Sequence, residues 1–419
     1  MKIAIITYGH ILPFKGGVAQ HINNLFNFIN RNKSFKIYVF NQYTADNKVF
    51  KILNRKEYSS REILFELFNK RVLYFLIKSI WCIVIDDRTP FSHKVKILSY
   101  LLLKPRLLIK TINNVADIYP YLNNLDVDLI IGAYAGTTLP LIFILSRIFN
   151  KKVISLAHGN DFLYKKKEIS SISYFFKNLD KIILSNKKTK FYIKNIHHLT
   201  EDQLKIIPYG LNLKNYKLDD SKAKLRRDFK IPEEKFILIS VGRHVFRKNF
   251  DLVIKAVSRI KNEVPNINIK YYLIGDGPET EKLKNLTKEL NLNNEVEFLG
   301  TFGGLKRNQY YKLSDIFLMP SVATEKSIEG FGIVFLEANY FKLPVIGSFS
   351  GGMTEAIIHN KTGFLIKPND LNDLVRKIKL LYENEDMRSE MGEYGYNRVV
   401  NYYNWDKITI KFKDFFNSL

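Results

Sequence analysis

Residues 236–257 read FILISVGRHVFRKNFDLVIKAV. The segment 236–242 is a nearly unbroken apolar run, the mark of a strand buried on both faces of a parallel sheet. A polar loop with two cations, Arg243 and Lys248, follows, and then a helical pattern. Strand, loop and helix in this order start a βα unit, and the same order recurs on both sides of it. Downstream strands are expected in KYYLIG (270–275), EVEFLG (295–300), DIFLMP (315–320) and PVIGS (344–348). Upstream they are expected in KIAIITY (2–8), KIYVF (36–40), DLIIGAY (128–134), KVISLAH (152–158) and KIILS (181–185), with helices over 18–31, 138–149 and 186–195. The pattern restarts near residue 236, after the turn-rich stretch KIIPYGLNLKNYKLDD (205–220). The expectation is an α/β chain of two doubly wound, Rossmann-like domains, 1–208 and 209–400, facing each other across a cleft with ligands at the carboxyl ends of the strands.

Residues 50–115 break the alternation. REILFELFNKRVLYFLIKSIW and KVKILSYLLLKPRLLIKTI have helical spacing and read as two or three basic amphipathic helices inserted into the first domain. Such helices either lie on a membrane surface or pack their apolar faces on the domain. The net charge of +24 is uneven: 1–208 holds 32 Lys+Arg against 14 Asp+Glu, a net of +18, and 209–419 holds 33 against 27, a net of +6. A positive field attracts anionic lipid, a phosphorylated substrate or nucleic acid. Nucleic acid ranks last, because the cations lie in apolar amphipathic segments and not in a reader motif. One cysteine, Cys82, excludes an intrachain disulfide. The start MKIAIITYGH reads as a strand and not a signal peptide, and no run of 18 apolar residues exists, so a cytoplasmic protein without a transmembrane span is expected.

The candidate chemistry falls just after strands. Gly16 and Gly17 in YGHILPFKGGVAQHINNLF stand at a strand-to-helix loop where backbone amides can approach a phosphate or sugar. They do not form the G-x-G-x-x-G fingerprint, which disfavours a nicotinamide enzyme. SLAHGND (155–161) puts His158 at a strand end. Arg243 and Lys248, five apart, suit a diphosphate, the plainer reading being a solvated basic loop. LIGDGPETEKL (273–283) is explained largely as a turn and helix start. In EGFGIVFLE (329–337), Gly330 and Gly332 bend the chain into a helix near Ile333, whose first amides, at about 331–334, face an anion. Glu329 then stands outside the helix and Glu337 inside it, at opposite ends of one bound molecule. GSFSGGMTEAI (347–357) supplies a third glycine loop. No D-x-D metal motif is present, since the Asp pairs at 86–87 and 219–220 lack its context.

Taken in order, GGVAQH, HGND, IIPYGLN, VGR…K, GDGP, FLG, SDIFLMPS, EGFGIVFLE and GGMTEAI resemble the retaining GT-B glycosyltransferases of family 4, the glycosyltransferase group 1 type. EGFGIVFLE is similar to that family's E-x7-E motif, and the resemblance runs nearly the whole chain. The chain departs from it at 50–115, at Arg247-Lys248-Asn249 where a Lys-Gly is commoner, and in a longer VATEKSI, which resembles lipid-directed mannosyltransferases.

The resemblance implies a sugar moved from a UDP- or GDP-sugar to a lipid-linked or glycan acceptor, with no cofactor and no metal, at an anionic membrane surface on the inner face of the cytoplasmic membrane. It implies that Glu337 binds ribose hydroxyls, and that Arg243 and Lys248 hold the diphosphate with the amides of Gly332, Ile333 and Val334 beside Phe331. It further implies Gly16 and Gly17 near the phosphate, Glu329 on the donor sugar, His158 near the anomeric centre, and Thr301 and Phe302 near the base. The tail 401–419, around Trp405, is expected to cross back to the first domain. The readings that compete with this one are an epimerase or phosphorylase-like enzyme on the same fold, and a non-catalytic nucleotide-sugar-binding partner subunit.

Overall fold

A computed structural model of the chain describes residues 1–7, 21–22, 24–25 and 36–41, and from residue 70 onward all but 103, 137, 160–162, 164–165 and 326. Gly16, Gly17 and the first part of the expected insertion lie outside the described residues. The chain divides into two compact units, Met1–Ile207 and Pro208–Leu419.

The first unit holds strands β1 (Lys2–Thr7), β2 (Lys36–Asn41), β3 (Leu129–Gly132), β4 (Lys152–Ala157), β5 (Lys181–Leu184) and β6 (Leu204–Ile206). They form one parallel sheet in the order β2-β1-β3-β4-β5-β6. Ile3, Ile5, Ile130 and Ile131 are fully buried. Neighbouring residues buried on opposite faces are what the continuous apolar runs predicted, because each face of a parallel sheet is covered by crossover helices. The helices are α1 (Lys70–Ile85), α2 (Phe91–Leu102), α3 (Pro105–Leu125), α4 (Leu139–Ile148), α5 (Lys166–Lys177) and α6 (Lys187–His197).

The inserted helices α1 and α2 bury Phe75, Ile83, Ile97 and Leu101, and α1 packs on α3 and α4. A buried ion pair ties their junction to the sheet-covering helix. Asp86 accepts from Arg147 Nε of α4 at 2.7 Å and from Arg88 Nε at 3.1 Å. Burial raises the Asp86 carboxyl, and the Thr89 hydroxyl, Arg147 and Arg88 together more than offset this and hold it below the usual range. Asp86, the first member of the first Asp pair, is therefore a structural tie.

The second unit holds β7 (Phe236–Val241), β8 (Ile269–Ile274), β9 (Val296–Gly300), β10 (Ile316–Leu318), β11 (Val345–Ser348) and β12 (Gly363–Ile366), parallel in the order β12-β11-β10-β7-β8-β9. Its helices are α7 (Lys222–Asp228), α8 (Phe250–Glu263), α9 (Thr280–Glu289), α10 (Gly304–Leu313), α11 (Ile333–Tyr340), α12 (Met353–Ala356), α13 (Leu371–Glu383), α14 (Glu385–Tyr402) and α15 (Trp405–Asn417). The start of α15 is stitched to the head of this unit: Leu211 N–H donates to Tyr403 O at 2.7 Å and Trp405 N–H to Leu211 O at 2.8 Å.

Two strands, and helices among them α5, were not expected. β6 has three residues and lies in the stretch read as a linker, and β12 has four. Both are outermost in their sheets, where too few residues remain to show a pattern. α5, Lys166–Lys177, also falls outside the expected helices.

The strand order fixes where a ligand belongs. In the second sheet the chain steps outward from β7 to β8 and β9, then returns to the other side of β7 at β10. The carboxyl ends of β7 and β10 therefore flank the point where the order reverses, and such points open a crevice.

Candidate active site

The segments following β7 and β10 supply the charged groups of that crevice. After β7, Gly242 to Asn249 makes a loop whose last turn is a short 3-10 helix, Phe246–Lys248. The GDGP turn after β8 backs this loop: His244 N–H donates to Asp276 O at 2.9 Å and Glu279 N–H to His244 O at 3.1 Å. Asn249 ends the loop in the left-handed region, φ 59°. Asn tolerates that conformation better than other side chains. It stands where the resembled family more often has glycine, and its side-chain amide donates to Pro320 O at 3.2 Å and to Asn369 Oδ1 at 3.1 Å. The departure from the motif is thus conformationally conservative.

After β10, the loop carrying Glu329 returns to these cations. Lys248 Nζ donates to Glu329 Oε2 at 2.6 Å, and Arg247 Nη1 donates to the same oxygen. Lys248 and Glu329 are 7% and 8% exposed. Burial raises the Glu329 carboxyl, and Lys248 and Arg247 together overcome that and hold it below its usual range. Burial lowers the Lys248 ammonium, Glu329 opposes the shift and Arg247 adds to it, for a net depression. Arg243 extends exposed from the same loop. Lys248 and Arg247 against Glu329 leave a surplus of positive charge, which an anion complements.

The sequence separated Lys248, on phosphate, from Glu329, on sugar; the structure joins them directly. Arg247 was missed, although its place beside Lys248 in FRKN is a legible signal.

Helix α11 starts beside this cluster. Met319 bridges the two: Lys248 Nζ lies 3.0 Å from its Sδ, and a Cβ built on Gly332 would meet its methyl at 3.4 Å. Gly332 caps α11 at φ 80°, and the same Cβ would fall 2.7 Å from the Phe335 ring, so only glycine fits. Ile333 and Val334 occupy the first turn, where amides precede the helix's own hydrogen bonding and carry its positive pole. Phe331 is buried with its ring 5.7 Å from Tyr209 and 5.8 Å from Tyr403, and so seats the loop.

The glycine loop after β11 fixes Glu329 from behind. Gly352 N–H donates to Glu329 O at 2.9 Å, and a Cβ on Gly351, at φ 53°, would fall 2.4 Å from that oxygen. Gly351→Ala is expected to destabilise the chain by about 2 kcal/mol through left-handed strain and this clash. A urea midpoint within error of wild type would show that Glu329 is not held this way.

Glu337, expected on ribose hydroxyls, is held by the chain's own groups. It is 1% exposed, inside α11, and accepts from Tyr216 Oη at 2.8 Å and Tyr311 Oη at 2.9 Å, with Arg307 Nη2 at 3.4 Å. Its carboxylate is engaged on both oxygens by these groups. Tyr216, Tyr311 and Arg307 carried no sequence signal, since a hydrogen-bonded tyrosine and a packed one look alike in a sequence. Burial lowers the Arg307 guanidinium, and Glu337, with Tyr311 and Tyr216, more than reverses this.

Thr301 is exposed and Phe302 half-buried just after β9, with Lys306 Nζ 4.6 Å from the Phe302 ring centroid. In the first unit, His158 follows β4, is 8% exposed, and its Nε2–H donates to Ala133 O at 2.9 Å. The ring of buried His21, within the GGVAQH motif, lies 6.3 Å away. Burial first, and His158 second, hold the His21 imidazole well below its usual range. Among the described residues no group of three or more His, Cys, Asp or Glu could hold a metal ion.

Comparison with known proteins names this assembly. Residues 221–398 match the model of the family "Glycosyl transferases group 1". An uncharacterized glycosyltransferase of Methanocaldococcus jannaschii is 30% identical over 267 residues, covering 62% of this chain and 67% of that protein. A GDP-mannose-dependent alpha-(1-6)-phosphatidylinositol monomannoside mannosyltransferase of Mycobacterium tuberculosis is 29% identical over 215 residues, and the chain spans 55% of its length. Among solved structures, sucrose-phosphate synthase from Thermosynechococcus elongatus superposes with a TM-score of 0.74 at 20% identity, covering 100% of this chain and 98% of that one. Anabaena HepE in complex with UDP gives a TM-score of 0.71 at 16% identity, covering 100% of both. The structural likenesses establish the fold and the sequence relatives the family: the chain belongs to the group 1 glycosyltransferases and has the two Rossmann-like units of the GT-B fold.

Proposed function

We propose that the chain is a retaining hexosyltransferase that takes a sugar from a UDP- or GDP-sugar and places it on a lipid-linked or glycan acceptor. The observation that carries this reading is the surplus of cations over Glu329 at the β7/β10 switch point, beside the first turn of α11. Lys248, Arg247 and Arg243 with the amides of Ile333 and Val334 would receive the diphosphate. Charge developing on the leaving phosphate oxygens is then met by groups already in place, which is worth most in a site closed to water. Glu329, released in part as its cations turn to the phosphates, would accept from hydroxyls of the donor sugar. His158 is assigned to the sugar being transferred, and Thr301 and Phe302 to the base. The bond from the anomeric carbon to the diphosphate breaks as the acceptor oxygen bonds the same face. The acceptor's proton leaves on the diphosphate, and no metal is assigned to the step. Cell-surface polysaccharide or glycolipid synthesis, at the inner face of the cytoplasmic membrane, is the setting this chemistry fits.

A thermal-shift screen of UDP-, GDP- and ADP-sugars names the donor, because a ligand that binds only the folded chain raises Tm with occupancy. Transfer is then assayed with Glu329→Gln and Arg243→Ala. Undiminished transfer by both variants would overturn the site. An epimer or sugar phosphate formed without acceptor would overturn the reaction.

A further inference from the structure

The outward face of α1 carries the wrong side chains for a helix in water. Among its residues with described side chains, those exposed are Tyr74, Ile77, Trp81, Val84 and Ile85, every one apolar. At 100° per residue they fall on one stripe, opposite buried Phe75, Ser79 and Ile83. A surface helix packed on a core on one side normally turns polar residues outward. α2 continues the stripe with Phe91 (78% exposed), Val95 and Leu102 (61%).

The charge around this face is net positive, with Asp87 the one exposed acid, in the turn between α1 and α2. Residues 70–104 hold seven Lys+Arg and two Asp, a net of +5, and Asp86 is already committed to Arg147 and Arg88. Lys96 is exposed on α2 beside Val95, and Lys78 flanks the α1 stripe while bonded to Tyr119 Oη at 2.8 Å. Apolar side chains with Trp and Tyr among them, bordered by cations and free of exposed acids on the helices themselves, match the chemistry of an anionic bilayer interface. No helix among the described residues is long and apolar enough to cross a membrane, so the fitting mode is to lie on the surface.

We infer that the α1–α2 face is a monotopic insertion surface that seats this unit in an anionic bilayer, with Trp81, Ile77, Ile85 and Phe91 below the headgroups and Lys96 at the phosphate level. The inference deepens the membrane setting proposed above and is independent of the donor site, so it stands or falls by itself.

The chain reports on it directly. It has two tryptophans, and Trp405 is buried in the other unit. The full chain is mixed, without any nucleotide, with vesicles of phosphatidylcholine alone or with about 30% phosphatidylglycerol, and followed by flotation, tryptophan emission and quenching by brominated acyl chains. The expected result is flotation that needs phosphatidylglycerol and weakens with salt, a blue shift, and quenching. Ile77→Glu/Trp81→Glu, both at exposed positions, is expected to weaken vesicle affinity on the order of tenfold or more while Tm and donor-induced Tm shifts stay unchanged. Trp81→Phe, which keeps the apolar face, is expected to float normally and lose the quenching. Absence from floated fractions of both vesicle types overturns the inference, as does flotation with no quenching. A stable dimer that hides Trp81 from acrylamide in solution also overturns it, and would assign the face to a second copy of the chain.

Discussion

Lys248→Ala is expected to lower kcat/KM for sugar transfer by about 100- to 1000-fold, the usual effect of removing one preorganised charge at a developing anion. The same variant is expected to keep most of its stability, because Arg247 continues to pair with Glu329 Oε2 after the lysine is gone. Glu329→Gln is expected to lose stability as well as transfer. It leaves Lys248 and Arg247 in each other's field with no counter-charge, at a place where Lys248 is only 7% exposed, and removing one partner of a buried pair costs about 3–5 kcal/mol. The two variants therefore separate chemistry from folding. Parallel kinetics and urea titrations read them, and a Lys248→Ala enzyme with near-normal kcat/KM would remove the lysine from the diphosphate site. Acid adds a further check. The Glu329 carboxyl is held below its usual range in the folded state, so its contribution is complete above the unfolded carboxylate pKa, about 4.3, and fades as pH falls through the folded value. Wild type should lose its stability advantage over Glu329→Gln in that acid range and hold it at neutral pH.

Glu337→Ala is expected to cost about 3–5 kcal/mol of stability, a fall in Tm on the order of 10 °C. The carboxylate is 1% exposed and joins three segments: Tyr216 from the stretch that opens the second unit, Arg307 and Tyr311 from α10, and its own helix α11. Its removal strands two phenol hydroxyls that donate to it and a guanidinium whose charge it balances. Tyr216→Phe and Tyr311→Phe should each cost about 1.5–3 kcal/mol, since each removes one hydrogen bond to a charged acceptor. The effect on transfer is then indirect: a looser α11 presents its first turn less well to phosphate. The expectation from the motif alone was a ribose contact, and the two differ in a measurable way. If Glu337→Ala kept its Tm and lost only nucleotide affinity, the carboxylate would be a ligand contact and the buried network secondary.

The E-x7-E spacing placed both acids correctly along the chain. Glu329 lies in a loop and Glu337 within a helix starting at Ile333, as the glycines at 330 and 332 foretold. Spacing along the backbone says which acid is in a helix and which is not. It does not say what the far side of that helix packs against, and Tyr216 lies 121 residues away from Glu337. The Lys248–Glu329 pair spans 81 residues for the same reason: it exists because β7 and β10 are neighbours in the sheet although β8 and β9 come between them in the chain. Arg247 was legible in principle, as a second cation in a loop already marked. The inserted helices show the limit most clearly. Their spacing gave two readings, packing on the domain or lying on a membrane; the structure shows Phe75 and Ile83 packed inward, and it leaves Trp81 and Ile77 exposed, the face on which the proposed membrane contact rests.

By itself the sequence determined the two-unit parallel α/β architecture, the loops that carry charge, and the family, because buried strands, helix starts and glycine turns are set by near neighbours in the chain. Which cation meets which acid, what Glu337 holds together and which apolar side chains remain in water were decided only by tertiary structure. Those depend on strand order and helix packing, which bring together residues that no local pattern connects.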